Sequence, residues 1–229
     1  MKLKWDETGK RFYEVGISHV VLFVWDTTKN TWGKGVAWNG VTNVTKSPDG
    51  AEPTDFWADN RKYGTLRSAE TVGGSIGAYQ SPKEFDVCDG SVELAPGFTI
   101  GQQTRLPFCL AYRSEIGNDI SQEAGYKIGI IYNATASPTE RAYDTMNDSP
   151  DAQELSWDFD TTPINVTGHK PTASVELKSF EVDETKLKQI EDTLYGTDGA
   201  EATDTTEAVE ATESTLLLPD DIAKILNAA

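Results

Sequence analysis

Two aspartates in a stretch of alternating residues are the best candidates for acid–base chemistry in this sequence. Asp158 and Asp160 lie two positions apart, so on a β-strand both side chains point to the same face. A pair of carboxylates is also what glycoside hydrolysis requires. Trp157 and Phe159 alternate with them, and this alternation is typical of a strand with one buried and one solvated face. We therefore favour a polar strand face, and we keep a glycosidase as an alternative that needs a cleft with two facing carboxylates.

Metal and nucleophile chemistry find little support in the residue pattern. His19 and His169 are the only histidines, and neither has a His or Cys neighbour at the spacing of a zinc site. His19 lies in an apolar stretch, which predicts a half-buried residue. Cys88 and Cys109 lie in β-type segments, and we interpret both as reduced, buried side chains. The acid-rich segment 144–154 lacks the spacing of a calcium loop. We therefore predict no catalytic residue, no cofactor and no metal.

The charge of the chain excludes two classes of partner. Its 229 residues include 20 Lys and Arg against 37 Asp and Glu, which gives a net charge of -17. Tight binding to nucleic acid requires cations that displace counterions from phosphates, and an anionic membrane surface attracts basic segments. The amino-terminal residues contain no apolar stretch typical of a signal peptide, and no run has the length of a membrane span. We expect a protein that is made in a cytosol and does not bind membranes.

The pattern of residues predicts a mainly β protein of two packed sheets or a distorted barrel with one flanking helix. The helix is predicted over 183–195, where Leu187, Ile190 and Leu194 follow helical spacing and Gly196 is a stop signal. We expect the first two strands to pair as a hairpin. Strand-like segments cover residues 16–25, 35–45, 62–68, 75–79, 91–95, 105–113, 125–132, 153–161 and 172–180.

A long loop over residues 46–61 is predicted between two of these strands. It begins with the sequence Ser-Pro-Asp-Gly, which is typical of a turn. The aromatic residues Phe56 and Trp57 would lie at its tip, and Asp59 and Asn60 follow them in the loop. Exposed aromatic side chains on a loop often anchor an interface, so we interpret these residues as contacts between subunits. The alternative is that the aromatic rings fold back on their own domain.

Both ends of the chain differ in composition from the β domain, which we assign to residues 1–196. Residues 1–14 form a polar amino-terminal arm with one aromatic, Trp5. Residues 197–215 contain six acidic residues, no basic residue and no aromatic, so we predict a disordered linker. Residues 216–229 are apolar again and include Leu217 and Ile222. We expect this segment to dock on its own domain or on a neighbouring subunit.

Several segments of the chain resemble the major tail (tail tube) proteins of long-tailed, non-contractile bacteriophages, especially those of Gram-positive hosts. The resemblance covers most of residues 1–196 in order, and none of its segments is a catalytic signature. The matching segments are WNGVTNVTKSPDGAEPTDFWADNRKY, FDVCDGSVELAPGFTIGQQ, YRSEIGNDI, GYKIGIIYNATASPTERAYDTMNDSP and TTPINVTGHKPTASVELKS.

The resemblance implies a structural virion protein and no enzymatic activity. Proteins of this family form hexameric rings that stack into a tube, and the inner sheets of six subunits join into one barrel around a channel. The channel holds the tape measure protein and later the DNA, without tight binding. Tail terminator and distal tail or baseplate proteins close the ends. The amino-terminal arm, the long loop and the carboxyl-terminal region make contacts between rings. The implied location is the phage tail, after synthesis in the cytoplasm of a host bacterium.

A different class of protein also fits the composition. Aromatic side chains on a β-sandwich can serve as stacking platforms for sugars, and Trp32, Trp38 and Trp57 are the candidates here. The alternative function is therefore a solitary carbohydrate-binding module. Ring-shaped oligomers would distinguish the tail tube from this alternative.

Overall fold

The computed structural model describes residues 2–50, 52–68, 70–143, 145, 152–199 and 210–228. Within these ranges the chain forms thirteen β-strands and three α-helices, so the mainly β class predicted from the sequence is confirmed. The elements are β1 Tyr13–Asp26, β2 Thr31–Trp32, β3 Val36–Ala37, β4 Val41–Gly50, β5 Pro53–Ala58, β6 Arg61–Arg67, β7 Glu70–Ala78, α1 Asp86–Asp89, β8 Val92–Ala95, β9 Phe98–Ile100, β10 Phe108–Gly117, β11 Gly125–Ala136, β12 Leu155–Thr161, β13 Ser174–Lys178, α2 Glu184–Tyr195 and α3 Pro219–Asn227.

Nine strands form one continuous antiparallel network, which we describe as two sheets that share β11. Sheet A contains β2, β3, β1, β10, β11 and β13. Sheet B contains β12, β7 and β4. Strand β11 pairs with β13 as far as Ile131 and with β10 as far as Ala134, and from Ala134 onward it pairs with β12. Asn133 lies just before this change of partner with φ 48°, and its backbone N–H donates to Cys109 Sγ. The strand therefore changes sheets at a local irregularity.

An aromatic core fills the space between the two sheets. Trp38 and Trp157 meet edge to face with ring centroids 5.5 Å apart, and Phe85 packs against both rings. Ile76 of sheet B and Leu110 of sheet A are fully buried in the same cluster. Edge-to-face contacts add to the free energy gained from burying these large side chains. The short helix α1 and the 3-10 turn before it, Lys83–Phe85, are thus fixed to the body by Phe85.

A second core lies on the opposite face of sheet A, where α2 packs. The buried residues Leu187, Ile190 and Leu194 of this helix contact the sheet. Asp183 caps the helix, because its side chain accepts hydrogen bonds from the backbone N–H groups of Thr185 and Lys186 at 3.0 and 3.3 Å. The helix predicted over 183–195 is confirmed. The apolar spacing and the stop signal at Gly196 predicted this helix, and the cap at Asp183 is an addition from the structure.

The carboxyl-terminal segment packs into this second core. Leu216, Leu217 and Ile222 are buried there, and Tyr132 Oη donates to the Leu217 carbonyl oxygen at 2.8 Å. In this single chain the segment therefore docks on its own subunit. Leu217 and Ile222 are not placed for the contact with a neighbour that the sequence suggested, because their burial completes the apolar face of α2 and sheet A.

The acidic linker is shorter than the sequence predicts. Thr197 and Thr212 exchange two backbone hydrogen bonds of 3.1 and 3.0 Å, and the Thr215 N–H donates to the Thr193 carbonyl oxygen at 2.8 Å. Residues 197–199 and 210–215 are therefore ordered against the end of α2, which corrects the predicted boundaries 197–215. Residues 200–209 lie outside the described residues.

Two predictions about the first strands need correction. Strand β3 does pair with β1, but β4 pairs with β7, so the segment 35–45 is divided between two sheets. Pro48 and Gly50 were expected to begin a turn, and they lie within β4 instead. Among the described strands β4 pairs only with β7, so it is an edge strand. A proline is tolerated there because its missing N–H removes no ladder hydrogen bond from a second partner.

An ion-pair network joins the two sheets at one end of the core. Lys46 of β4 contacts Glu176 of β13, and Lys127 of β11 contacts Glu176 at 3.3 Å and Glu14 of β1 at 2.7 Å. Burial disfavours the charged form of both lysines. Their carboxylate partners outweigh this effect, so the pKa of Lys46 and the pKa of Lys127 are both raised. The network therefore holds sheet B against sheet A as paired charges.

The docking of the carboxyl-terminal segment leads to a prediction about stability. Leu217 is 7% exposed and its neighbour Leu218 is 38% exposed. We predict that Leu217→Ala lowers the free energy of unfolding by about 2–4 kcal/mol, because it leaves a cavity in the second core. Leu218→Ala is the matched control and should cost less than about 1 kcal/mol. Urea denaturation measures both, and equal effects would show that the segment is not part of the core.

The network at Glu176 leads to a prediction about pH. The hydrogen bond from Lys46 is the main reason that the pKa of Glu176 lies below its usual value of 4.5, against an opposing effect of burial. A carboxylate of this kind stabilises the fold above its unfolded-state pKa, and the stabilisation is lost as pH falls through the folded-state pKa.

We therefore predict that Glu176→Gln lowers stability near neutral pH, that the difference from the wild type begins to shrink as pH falls below the usual pKa of 4.5, and that it disappears only below the lowered folded-state pKa. Urea midpoints across this range measure the difference. Glu181→Gln is the control, since Glu181 forms an exposed pair with Lys178 within three residues. A constant difference at all pH values would contradict the assigned role of Glu176.

Candidate assembly surfaces

The predicted long loop is a β-hairpin that extends sheet B. Strands β4 and β7 pair as far as Gly50 and Glu70, and β5 and β6 then continue as a second ladder to Ala58 and Arg61. We call residues 53–67 the arm hairpin. The expectation of a loop over 46–61 is therefore wrong, because the strands continue through the apparent turn signal at positions 47–50.

The arm hairpin ends in a two-residue turn. Asp59 and Asn60 connect its strands, and both have positive φ, 51° and 58°. Positive φ at both positions matches the right-handed twist of a hairpin, and Asp and Asn tolerate this conformation better than most residues. The aromatic residues predicted at the tip, Phe56 and Trp57, lie in strand β5 instead, and Asp59 and Asn60 form the turn.

The arm hairpin has two different faces. Phe56 pairs with Gly64, and Leu66 falls on the same face two residues further along β6. Tyr63, at the bulge, brings its ring to 5.8 Å from that of Phe56. On the other face Asp55 accepts hydrogen bonds of 2.7 Å from both Lys62 and Thr65. The Lys62 bond is the larger reason that the pKa of Asp55 is lowered.

The aromatic side chains of the arm hairpin do not fold back on the domain. Phe56 is 41% exposed and Trp57 is 67% exposed, and the large side chains of Tyr63 and Leu66 are also exposed. A two-stranded hairpin buries little apolar surface and is only marginally stable by itself in water. Trp57 follows Phe56 directly on β5, so the hairpin exposes apolar side chains on both of its faces.

The outward face of sheet B is composed of small polar and acidic residues, and we call it the polar face. Strand register places these side chains in rows across β4, β7 and β12. Asp158 and Asp160 supply its charges, and Lys, Arg and aromatic residues do not occur in it. Thr45 and Ser75 bring their hydroxyl groups within 2.7 Å of each other. The residues of the polar face are Asn43, Thr45, Ser47, Gly73, Ser75, Gly77, Ser156, Asp158 and Asp160.

Asp158 and Asp160 lie on the exposed, polar face of β12, as the alternation in the sequence predicted. Trp157 and Phe159 are buried, while Asp158 and Asp160 are exposed on one side of β12. Their carboxylates lie side by side along a sheet and do not face each other across a cleft. Within the described ranges, no group of three or more His, Cys, Asp or Glu side chains is placed to hold a metal ion. The segment 144–154 lies mostly outside the described residues.

The tryptophans and the histidine that the sequence singled out differ in their burial. Trp5, in the amino-terminal arm, is exposed, whereas Trp38 is only 3% exposed, and its Nε1 donates to the Gln80 carbonyl oxygen at 2.7 Å. Trp38 is therefore a core residue and cannot act as a sugar-stacking platform. Trp32 is half-buried and packs edge to face on Trp25. His19 is exposed at a bulge of β1 with φ 51°, which corrects the expectation that it is half-buried.

A second exposed hairpin was not recognised from the sequence as a surface. Strands β8 and β9 pair around Pro96 and Gly97, and we call residues 92–100 the distal hairpin. Val92, Leu94 and Phe98 are exposed on it. The Pro-Gly dipeptide between two apolar strands is a recognised hairpin signal, so this element could have been found. The exposure of this hairpin could not have been predicted from the sequence, because it depends on which other elements of the fold pack against it.

This chain matches no protein-family model and has no significant match among curated proteins. Among the described residues, no helix is long and apolar enough to cross a membrane.

The packing of Phe56 on Gly64 leads to a prediction about the arm hairpin. A Cβ atom at position 64 would lie 2.6 Å from Cζ of Phe56, which is too close for the ring to stay in place. We predict that Gly64→Ala moves the Phe56 ring away from Tyr63, without a change in the urea midpoint of the body. Loss of nuclear Overhauser contacts between the two rings measures the shift.

Gly101→Ala is the matched control, since a Cβ at that position meets only open space. Unchanged ring contacts in Gly64→Ala would show that the arm hairpin adapts its backbone instead.

Proposed function

We propose that this chain is a tail tube protein of a long-tailed, non-contractile bacteriophage. Its copies form hexameric rings, and the rings stack into the tube that conducts the genome into the host. The observation that supports the proposal is the composition of sheet B. Its outward face is polar, and its strands β4 and β7 lead into the arm hairpin, which exposes apolar side chains. One element thus combines a surface suited to a channel with a surface suited to assembly. The proposal assigns no catalytic role to any residue.

The arm hairpin supports a role in contacts between rings. Phe56 and Trp57 are large, rigid side chains, and such residues supply much of the binding free energy in protein interfaces. They project beyond the two cores on strands that are anchored in the body through β4 and β7. A hydrogen-bonded ladder of this kind loses less conformational entropy on docking than an irregular loop would.

The polar face supports a role as a channel wall. Binding of DNA requires cations for the phosphates, and single strands also bind by stacking on aromatic rings. The polar face offers neither, and its aspartates repel phosphate. Its side chains are short, so a passing polymer meets few protruding groups. A polyanion can therefore slide along such a face without being held.

Open strand edges support closure into rings. In the described part of the chain, β4 pairs on one side with β7, β13 pairs on one side with β11, and the first half of β1 pairs on one side with β10. Unpaired edges readily bind other strands, and a closed ring of identical copies satisfies them without open-ended growth. Pairing between copies would join their sheets around a common axis.

The proposed partners follow from this assembly. The tape measure protein and then DNA occupy the lumen without tight binding, and terminator and distal tail or baseplate proteins cap the two ends. The location is the phage tail, after synthesis in the bacterial cytoplasm. The net charge of -17 agrees with a wall that does not retain DNA.

The proposal is tested by negative-stain electron microscopy of the purified chain at high concentration. We predict tubes or stacked rings for the wild type, and loss of tubes for Phe56→Ala combined with Trp57→Ala. Each aromatic side chain at an interface centre can contribute about 2–4 kcal/mol, so removing two should prevent stacking. Circular dichroism should show an unchanged fold.

The control is Tyr143→Ala, which removes an exposed aromatic ring outside the arm hairpin. It should form tubes like the wild type. Tubes of normal length from the double variant would contradict the role of the arm hairpin. A wild-type chain that forms neither rings nor tubes would contradict the proposed function.

A further inference from the structure

The distal hairpin is a second apolar surface that the fold leaves uncovered. By strand register and alternation, Val92, Phe98 and Ile100 share one face. Val92 and Phe98 are exposed, as is Leu94 at the bulge between them. Scattered exposed apolar residues are normal, but several on one projecting hairpin are typical of an interaction site.

The arm hairpin and the distal hairpin leave the body from opposite ends of one strand. The arm hairpin joins β7 at Glu70, and the segment that leads through α1 to the distal hairpin leaves β7 at Ala78. At about 3.3 Å per residue, these two ends are roughly 25 Å apart. The two hairpins are therefore connected to opposite ends of β7 in sheet B.

The charges of the two regions are opposite. The arm hairpin contains Arg61, Lys62 and Arg67 against Asp55 and Asp59. Lys62 already pairs with Asp55, so among the described residues Arg61 and Arg67 supply the free positive charge of this hairpin. Residues 83–93, at the base of the distal hairpin, contain four acids and one cation, Lys83.

The acidic region at the base of the distal hairpin carries an excess of negative charge. Asp86 is partly buried and lies near Asp89, and burial together with this like charge raises the pKa of Asp86. Lys83 pairs with Glu93, and Arg141 pairs with Asp89 at 2.7 Å. Complementary charge around an apolar centre fixes the orientation of a partner and excludes wrong ones.

We propose that the arm hairpin of one copy docks on the distal hairpin of the next copy. The occupant of the distal hairpin is thus a second copy of this chain. This inference rests on the proposed function and names the partner surface for the arm hairpin. Two different surfaces meet in this contact, and each copy presents both. Such a contact repeats without closing when the surfaces lie at opposite ends, so copies add one after another along an axis.

Two variants test this docking, and each removes one surface. The arm variant is Phe56→Ala with Trp57→Ala, and the distal variant is Leu94→Ala with Phe98→Ala. All four side chains are exposed, so neither variant should disturb the fold. Ile120→Ala is the control, since Ile120 is an exposed apolar residue outside both hairpins. Sedimentation velocity of full-length chains measures self-association, and electron microscopy detects tubes.

We expect each variant alone to self-associate at least tenfold more weakly than the wild type, while Ile120→Ala is unchanged. A mixture of the two variants is the decisive sample. The distal variant keeps its arm hairpin and the arm variant keeps its distal hairpin, so one intact contact can form between them. The mixture should therefore recover association of unlike copies but no long tubes.

Three results would overturn the inference. A distal variant that forms tubes like the wild type overturns it and leaves the proposed function intact. Weakened variants whose mixture recovers no association show that the two hairpins do not bind each other. A wild-type chain that shows neither association nor tubes overturns both the inference and the proposed function.

Discussion

The sharing of strand β11 between two sheets is the constraint on which the rest of the structure depends. The strand pairs within sheet A as far as Ala134, and from Ala134 onward it also pairs with β12 of sheet B. The change at Asn133 turns the backbone so that sheet B folds over one face of sheet A. The space between them is then filled by Trp38, Phe85 and Trp157, whose rings meet within 5.5 Å. Without this change of direction in β11, the two sheets would not pack on each other. Each apolar face would then need a different element to bury it.

Because sheet B covers one face of sheet A, the opposite face needs a different cover. Helix α2 and the carboxyl-terminal segment supply it, through residues such as Ile190 and Leu217. This arrangement buries apolar side chains on both faces of sheet A, whereas sheet B is buried on one face only. The outward face of sheet B is consequently free to be polar. The arm hairpin grows from the same sheet and has no second layer to pack on within the described part of the chain.

The two sheets have different roles in this fold. Sheet A and its two cores supply stability, since most of the large buried side chains lie against it. Sheet B presents the polar face and connects to the arm hairpin through β4 and β7, so in the proposed tube the channel wall and the assembly contact belong to one element. The ion pairs of Glu176 tie that sheet to the body at one end. In the proposed assembly, force on the arm hairpin would therefore pass directly into the wall of the channel.

Several features were predictable from the sequence because their causes are local. Helix α2 follows from apolar spacing and the stop signal at Gly196, and the burial of Trp157 follows from alternation with the aspartates beside it. The mainly β class follows in the same way from repeated alternating segments. The exposure of Phe56 and Trp57 was also anticipated, since they lie among polar residues far from any apolar run.

Other features depended on the tertiary structure, because a local pattern reports a tendency to be buried and not the identity of the neighbour. Pro48 and Gly50 resemble a turn, but an edge strand accepts them, so the arm became a hairpin where a loop was expected. Trp38 resembles an exposed platform until Phe85 and Trp157 enclose it. The amino acid sequence thus determined the mainly β class, the helix and the polar alternation of β12. Only the tertiary structure decided that β11 joins two sheets and that Leu217 completes the core of its own subunit. It also decided that the two exposed hairpins leave β7 from opposite ends. Each of these features depends on contacts between residues far apart in the chain.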